Sequence, residues 1–347
     1  MSTAGPAVAA ASERPTARSA SVGPTPAALN PTALQQAISS APDRVTAVLA
    51  RVSGPAGHWM GTFGTADVNT QEPVSPEGRF RLGSVTKMFI STVVLQLAAE
   101  QRVDLDRPVQ EYLPGVLPGD YPPVPLSELV AKAVRHPRLF EPGAMQHYGA
   151  TGYYVAAMLV EKLTGHSYQR EITDRIVRPL NLRHTTAPET DPTIPGPHAH
   201  GYITVPQPCD GSCLKDITEQ NPGAGGMIST TADLDRFMTA LFRGRLLSPT
   251  QLDQMLTIPH VRNLDGSEHD PGHGWAYYGA GPMRVTVGGV TVWGKTGSTF
   301  GYTDGMFVTP DLRRRLVYSF NPTTGGGNDL ALVNQILSAA FSPPATS

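Results

Sequence analysis

Strand-like patterning occupies the two ends of this 347-residue chain, and helix-like patterning fills the stretch between them. RVTAVLARVSG (44–54) and HWMGTFGTADV (58–68) read as a hairpin-like pair turning at Gly54–Gly57, followed by a short strand RFRLG (79–83). Strands return in HGWAYYGA, RVTVGGVTVWGKTG, YTDGMFVTP and RRRLVYSFNP, between 273 and 322. Short helices bracket both sets: NPTALQQAISSAP, with Pro31 at a first-turn position, and DLALVNQILSAAF at the end. Between them lie TGYYVAAMLVEKLTG, SYQREITDRIVRPL, TADLDRFMTALFRGRL and SPTQLDQMLTI, helical segments separated by Pro-rich loops. Strands from both termini can share one sheet only if the middle is an insertion. The expected fold is therefore α+β, an α/β sandwich. It has an antiparallel sheet built from both chain ends, flanked by terminal helices, with an inserted all-α subdomain. The divisions read as a disordered arm over 1–29, a sheet subdomain over 30–105 and 274–347, and the helical insertion over 106–273.

Composition excludes several function classes. A net charge of −2 leaves no electrostatic footprint for nucleic acid or an anionic membrane. No run approaches the roughly 18 to 20 apolar residues of a membrane helix. The first residues, MSTAGPAVAAASERPTARS, lack a basic n-region and a Leu-rich core, so the expected location is cytoplasmic. Cys209 and Cys213 read as loop thiols ahead of a disulfide, which would close only a tiny loop. His198-Ala199-His200 is a weak metal pattern without a third ligand in sight, and Arg313-Arg314-Arg315 reads as a solvated turn.

Three short segments carry chemistry. Ser84-Val85-Thr86-Lys87 stands at a strand-to-helix junction, where residues three apart share a face. Lys87 can reach the Ser84 hydroxyl, and burial among apolar neighbours would disfavour its ammonium and make it a base. The helix start also offers backbone N–H groups to an oxyanion. A second copy of the spacing, Ser212 to Lys215, lies in a Gly/Pro/Cys loop with no helix to align it. Trp293-Gly294-Lys295-Thr296-Gly297-Ser298 ends an apolar strand. There Lys295 and the adjacent Thr296 hydroxyl could bind a carboxylate or polarise a leaving group, and Gly297 permits close approach of a substrate backbone. Tyr148, at the head of an amphipathic helix, is usually packing, but beside a Ser–Lys pair it is a candidate proton shuttle.

Together these segments resemble the serine β-lactamase and penicillin-binding-protein superfamily, in the branch of class C β-lactamases, DD-carboxypeptidases and esterases. SVTK, the Tyr148 motif and KTG occur in the same order. VDLDRPVQEYLPG, GAGGMISTTADLDRFMTAL and VWGKTGSTFGY also look like that family's segments, over roughly 30–341. The resemblance implies Ser84 as nucleophile, with Lys87 and Tyr148 managing its proton. It implies Lys295, Thr296 and Gly297 on the substrate side, and an oxyanion hole from the N–H groups of Ser84 and Ser298. No metal or organic cofactor is implied. The partners are a small-molecule acyl donor and an amine, alcohol or water acceptor, and no oligomeric state is indicated.

Two departures stand out. The family's Tyr-x-Asn is here Tyr148-Gly149-Ala150, so Ala150 cannot supply the Asn hydrogen bonds to the motif lysine and the substrate amide. A His-Thr-Ser-Gly type segment ahead of the Tyr is also absent. These departures favour an intracellular biosynthetic transacylase of natural-product type. A hydrolase of esters, peptides or amides (DD-carboxypeptidase, esterase or β-lactamase type) is the alternative, and a non-catalytic binding protein the third reading.

Overall fold

The computed structural model describes residues 26, 28–114, 139–141, 143–206, 213–219, 226–266, 270–324 and 329–342. The expected arm over 1–29, apart from its last few residues, and most of the EYLPGVLPGDYPPVPLSELVAKAVRHPRLFEPG segment lie outside them.

The large sheet has seven strands: β1 (Val45–Gly54), β2 (Gly57–Asp67), β3 (Glu72–Pro73), β4 (Met283–Val287), β5 (Val290–Thr299), β6 (Tyr302–Val308) and β7 (Arg315–Pro322). Their order is β4-β5-β6-β7-β1-β2-β3, with every pair antiparallel. The two ends of the chain meet where β1 pairs with β7, Leu49 opposite Ser319. The antiparallel sheet from both termini is thus present. β1, β6 and β7 are buried on both faces, and VTAVLARVSG in β1 accordingly reads as a largely apolar run.

One face is covered by the terminal helices α1 (Pro31–Ser39) and α6 (Leu330–Phe341). Asn30 caps α1 by accepting from the Ala33 N–H at 3.0 Å, with Pro31 in the first turn. Leu34 and Ile38, one turn apart, then point into a core with Val48, Phe307, Phe320 and Ile336. The other face receives α2 (Thr86–Ala99), whose TKMFISTVVLQLAA is apolar nearly all round and buries ten of its fourteen residues. Three further helices pack on that side: α3 (Thr151–Thr164), α4 (Thr231–Phe242) and α5 (Pro249–Leu256). Phe89 of α2 stacks on Phe237 of α4 at 4.1 Å between centroids.

Several local expectations change. Phe80–Arg81 pairs with Ile228–Ser229 rather than joining the sheet. HGWAYYGA makes only isolated bridges, Arg262 with Trp275 and Tyr278 with Met283, and the Gln146 side chain takes the N–H groups of Tyr277 and Tyr278. The helical middle also carries short pairs such as Tyr202–Thr204 with Leu214–Asp216. The arginine run is a solvated turn only at Arg313, which is exposed and pairs with Asp311. Arg314 is 4% exposed and donates to the Ala340 carbonyl, and Arg315 pairs with Asp235 at 2.7 Å, locking β7 to α6 and α4. Cys213 is disulfide-bonded, against the expectation of thiols. Cys209, its only possible partner within the chain, lies outside the described residues, as does Ser212 of the second Ser-x-x-Lys copy.

Candidate active site

Ser84 sits in a single 3-10 turn, Gly83–Val85, that runs directly into α2. The turn exists because Gly83 adopts φ +44°, a conformation that side chains resist. A Cβ there would also lie 2.6 Å from the Ser298 carbonyl oxygen and 2.8 Å from its nitrogen. One strand position earlier, a Cβ on Gly297 would lie 2.1 Å from the Leu82 carbonyl oxygen. The two glycines thus let the Ser84 turn and the end of β5 meet backbone to backbone. That contact brings the main chains of Ser84 and Ser298 to one end of the cleft.

Lys87 Nζ stands 3.0 Å from Ser84 Oγ, the reach expected of residues three apart on a helix. Lys87 is 9% exposed, and burial lowers its pKa from the usual lysine range. Tyr148 comes from the loop ahead of α3. Its residue surface is 40% exposed, its ring lies 5.5 Å from Lys87 Nζ, and its phenol stands beside Ser84. Burial raises this phenol, against the opposing effect of the Ser84 hydrogen bond, so it stays protonated at neutral pH.

Lys295 projects from β5 onto the same group. It is 2% exposed, and its Nζ donates to the Thr296 carbonyl at 2.8 Å. The same nitrogen lies 4.7 Å from the Tyr148 ring centroid and 5.4 Å from that of Tyr278. Burial first, then the neighbouring Lys87, lower the Lys295 pKa to about 7, with Asp304 opposing. Strand alternation puts Lys295 and Gly297 on the face toward α2 and Thr296 on the other face. The tie between Lys295 and Thr296 therefore runs through the carbonyl rather than the hydroxyl.

Sequence reasoning missed several residues here. Tyr278 stacks on Tyr148 at 5.2 Å, Tyr277 lies against Tyr278 at 4.7 Å, and Tyr153 stands 5.5 Å from Lys87 Nζ. Gln146 clamps this wall: its Oε1 accepts from the N–H groups of Tyr277 and Tyr278, and its Nε2 donates to the Tyr278 carbonyl. The adjacent aromatics in WAYYG were a visible signal, but nothing in their spacing tied them to Tyr148, 130 positions earlier.

Two cavities open from the group. One, about 490 Å³, has walls from Leu139, Phe140, Tyr148, Tyr153 and Tyr278. A Cβ added at Gly149 or Gly152 beside it would meet nothing within 4 Å. A smaller one, about 40 Å³, lies between α2 and α3 where Ala150, Thr86, Lys87, Tyr153 and Ile90 meet. The buried Thr86 hydroxyl has no hydrogen-bond partner among the described residues. Ala150 thus leaves a gap beside Lys87 at the place where the family pattern puts an amide.

His198 and His200 do not join the site. His200 Nδ1 bonds Asp216 at 2.6 Å and His198 Nδ1 bonds the Gly196 carbonyl at 2.7 Å, and no group of three metal-ligating side chains occurs among the described residues. No helix among those residues is long and apolar enough to cross a membrane.

A serine hydroxyl with a partly desolvated amine and a phenol beside it, at a helix start, is the arrangement of the Ser-x-x-Lys pattern that the sequence resembles. The sequence model of the Beta-lactamase family matches residues 34–341, and the chain belongs to that family. Among solved structures, a D-stereospecific amidohydrolase from a Streptomyces species is 30% identical with a TM-score of 0.73, covering 88% of this chain and 97% of its own. A D-amino acid amidase from Ochrobactrum anthropi is 25% identical with a TM-score of 0.72, covering 89% and 97%. The teichoic acid D-alanine hydrolase of Staphylococcus aureus is 24% identical over 250 residues, 65% of this chain. The match spans 60% of that relative's length. These likenesses are to serine hydrolases.

Proposed function

We propose that this protein is a hydrolase that cleaves the amide or ester bond of a small D-configured aminoacyl group through an acyl-enzyme on Ser84. The observation that carries this reading is Lys87 Nζ, 3.0 Å from Ser84 Oγ, with the Tyr148 phenol beside the pair. Lys87, its ammonium disfavoured by burial, takes the Ser84 proton as Oγ bonds to the substrate carbonyl carbon. The N–H groups of Ser84 and Ser298 receive the developing oxyanion. The proton passes from Lys87 through the Tyr148 hydroxyl to the leaving nitrogen or oxygen as its bond to the carbonyl carbon breaks. Water then attacks the acyl-Ser84 ester, and the same groups return its proton. Lys295 supplies positive charge on the substrate side, and the cavity beside Gly149 and Gly152 takes the acyl side chain.

The relatives' names favour this reading over the transacylase expected from the sequence: each names an amidohydrolase, an amidase or a D-alanine hydrolase. The Ser84–Lys87–Tyr148 geometry tells against a non-catalytic binding protein. A disulfide at Cys213 fits an oxidising compartment better than the cytoplasm. The test is turnover of matched D- and L-aminoacyl amides and esters, with and without an added amine. Free D-amino acid as the main product supports the proposal. A product that is mainly acyl-amine returns the transacylase, and preference for the L-series removes the substrate assignment.

A further inference from the structure

Asp304 has no part in the chemistry above, yet its place in the sheet is unusual. It lies on β6 directly opposite Gly297 of β5, on the face that carries Lys295. A Cβ on Gly297 would fall 2.3 Å from Asp304 Oδ1, so the carboxyl group rests against the Gly297 backbone. Asp304 is 0% exposed, and neither carboxyl oxygen has a hydrogen-bond partner among the described residues. A buried carboxylate without hydrogen bonds is costly unless an opposite charge balances it.

Lys295 has the complementary problem. It is buried, makes one hydrogen bond to a carbonyl, and shares the cleft with a second amine, Lys87. The faces of Tyr148 and Tyr278 favour a cation there but carry no net charge. The groups facing Lys295 are Lys87 from α2, Tyr148 ahead of α3, Tyr278 ahead of β4 and Asp304 from β6. Asp304 shares its face with Lys295 and, directly opposite on β7, with Ser319, while Tyr318 lies on the other face. Asp304 is the one carboxyl group in this set; burial pushes it well above the usual carboxylate range and Lys295 opposes that shift, so each member of the pair favours the other's charged form.

We propose that Asp304 is the counter-charge that keeps Lys295 an ammonium beside Ser84, and is thereby a positioning residue for the reaction. The role given to Lys295 rests on the proposed function, but the charge pairing does not. Burial and Lys87 push Lys295 toward the neutral amine and Asp304 opposes them. Removing the carboxyl group takes away the one opposite charge and leaves the Thr296 carbonyl and the tyrosine faces alone against burial and Lys87. The proton then leaves Lys295 at lower pH, and any step that uses the ammonium fails earlier as pH rises.

The experiment is a ¹³Cε-lysine NMR titration of the whole protein, made tractable by its five lysines, with Lys295→Arg used for assignment. In the unmodified protein the Lys295 resonance is expected to titrate near pH 7. In Asp304→Asn it is expected to titrate about 1 unit lower or more, the usual effect of losing a nearby opposite charge. Asp304→Ser, which is smaller, serves if the amide variant does not fold. The alkaline limb of the activity profile should move down by the same amount, whereas a merely structural role would lower activity evenly at every pH. An unchanged Lys295 titration in the folded variant overturns the proposal. So does an unmodified protein whose Lys295 is already neutral at pH 5, which needs no variant to observe. The titration requires no turnover, so it stands or falls separately from the hydrolase reading.

Discussion

Lys87 and Tyr148 converge on a single hydroxyl, and that sets what their removal should do. Lys87→Ala takes away the base 3.0 Å from Ser84 and should lower kcat/KM by about 10³-fold or more. Tyr148→Phe removes the relay to the leaving group and should also cost heavily. If the two pass one proton, as proposed, the double variant should be little worse than the worse single one, and additive losses in steady-state kinetics would separate their roles. Ala150 is the second residue-scale case. The gap of about 40 Å³ that it leaves beside Lys87 and the unpartnered Thr86 hydroxyl is where an Asn amide would stand. Ala150→Asn should raise amide turnover relative to ester turnover, measured on a matched pair with the same acyl group. An unchanged ratio would mean that this departure from the family pattern has no weight in recognition.

At the scale of elements, the site depends on the nucleophile turn and the end of β5 touching through backbone alone. Gly83→Ala places a Cβ 2.6 Å from the Ser298 carbonyl oxygen at a positive φ. It should cost about 1–3 kcal/mol of stability in urea unfolding. It should also slow acylation, because the two oxyanion N–H groups are forced apart; wild-type stability with normal acylation would contradict the contact. SVTK and KTG were readable because their chemistry is local: a three-residue helical spacing and a strand end. The tyrosine wall was not, since Gln146, Tyr153 and Tyr278 come from three segments whose meeting is set only by tertiary packing. Asp304 was hidden for a related reason. An acid inside YTDGMFV reads as an ordinary polar interruption until the register places it opposite Gly297.

For the whole molecule, the order of patterns along the chain was enough to expect one antiparallel sheet joined from both termini, and β1 beside β7 is that join. What the linear patterning could not distinguish was transfer from hydrolysis, because both use the same acyl-Ser84 and differ only in which nucleophile reaches it. The central claim is therefore the covalent intermediate itself. Its most direct test is intact-mass spectrometry of the protein mixed with a slowly turned-over D-aminoacyl ester, followed by digestion and mapping. A single acyl adduct on Ser84 is expected, decaying in buffer alone and absent from Ser84→Ala. Turnover without any adduct, or an adduct mapping to Ser212, would contradict it.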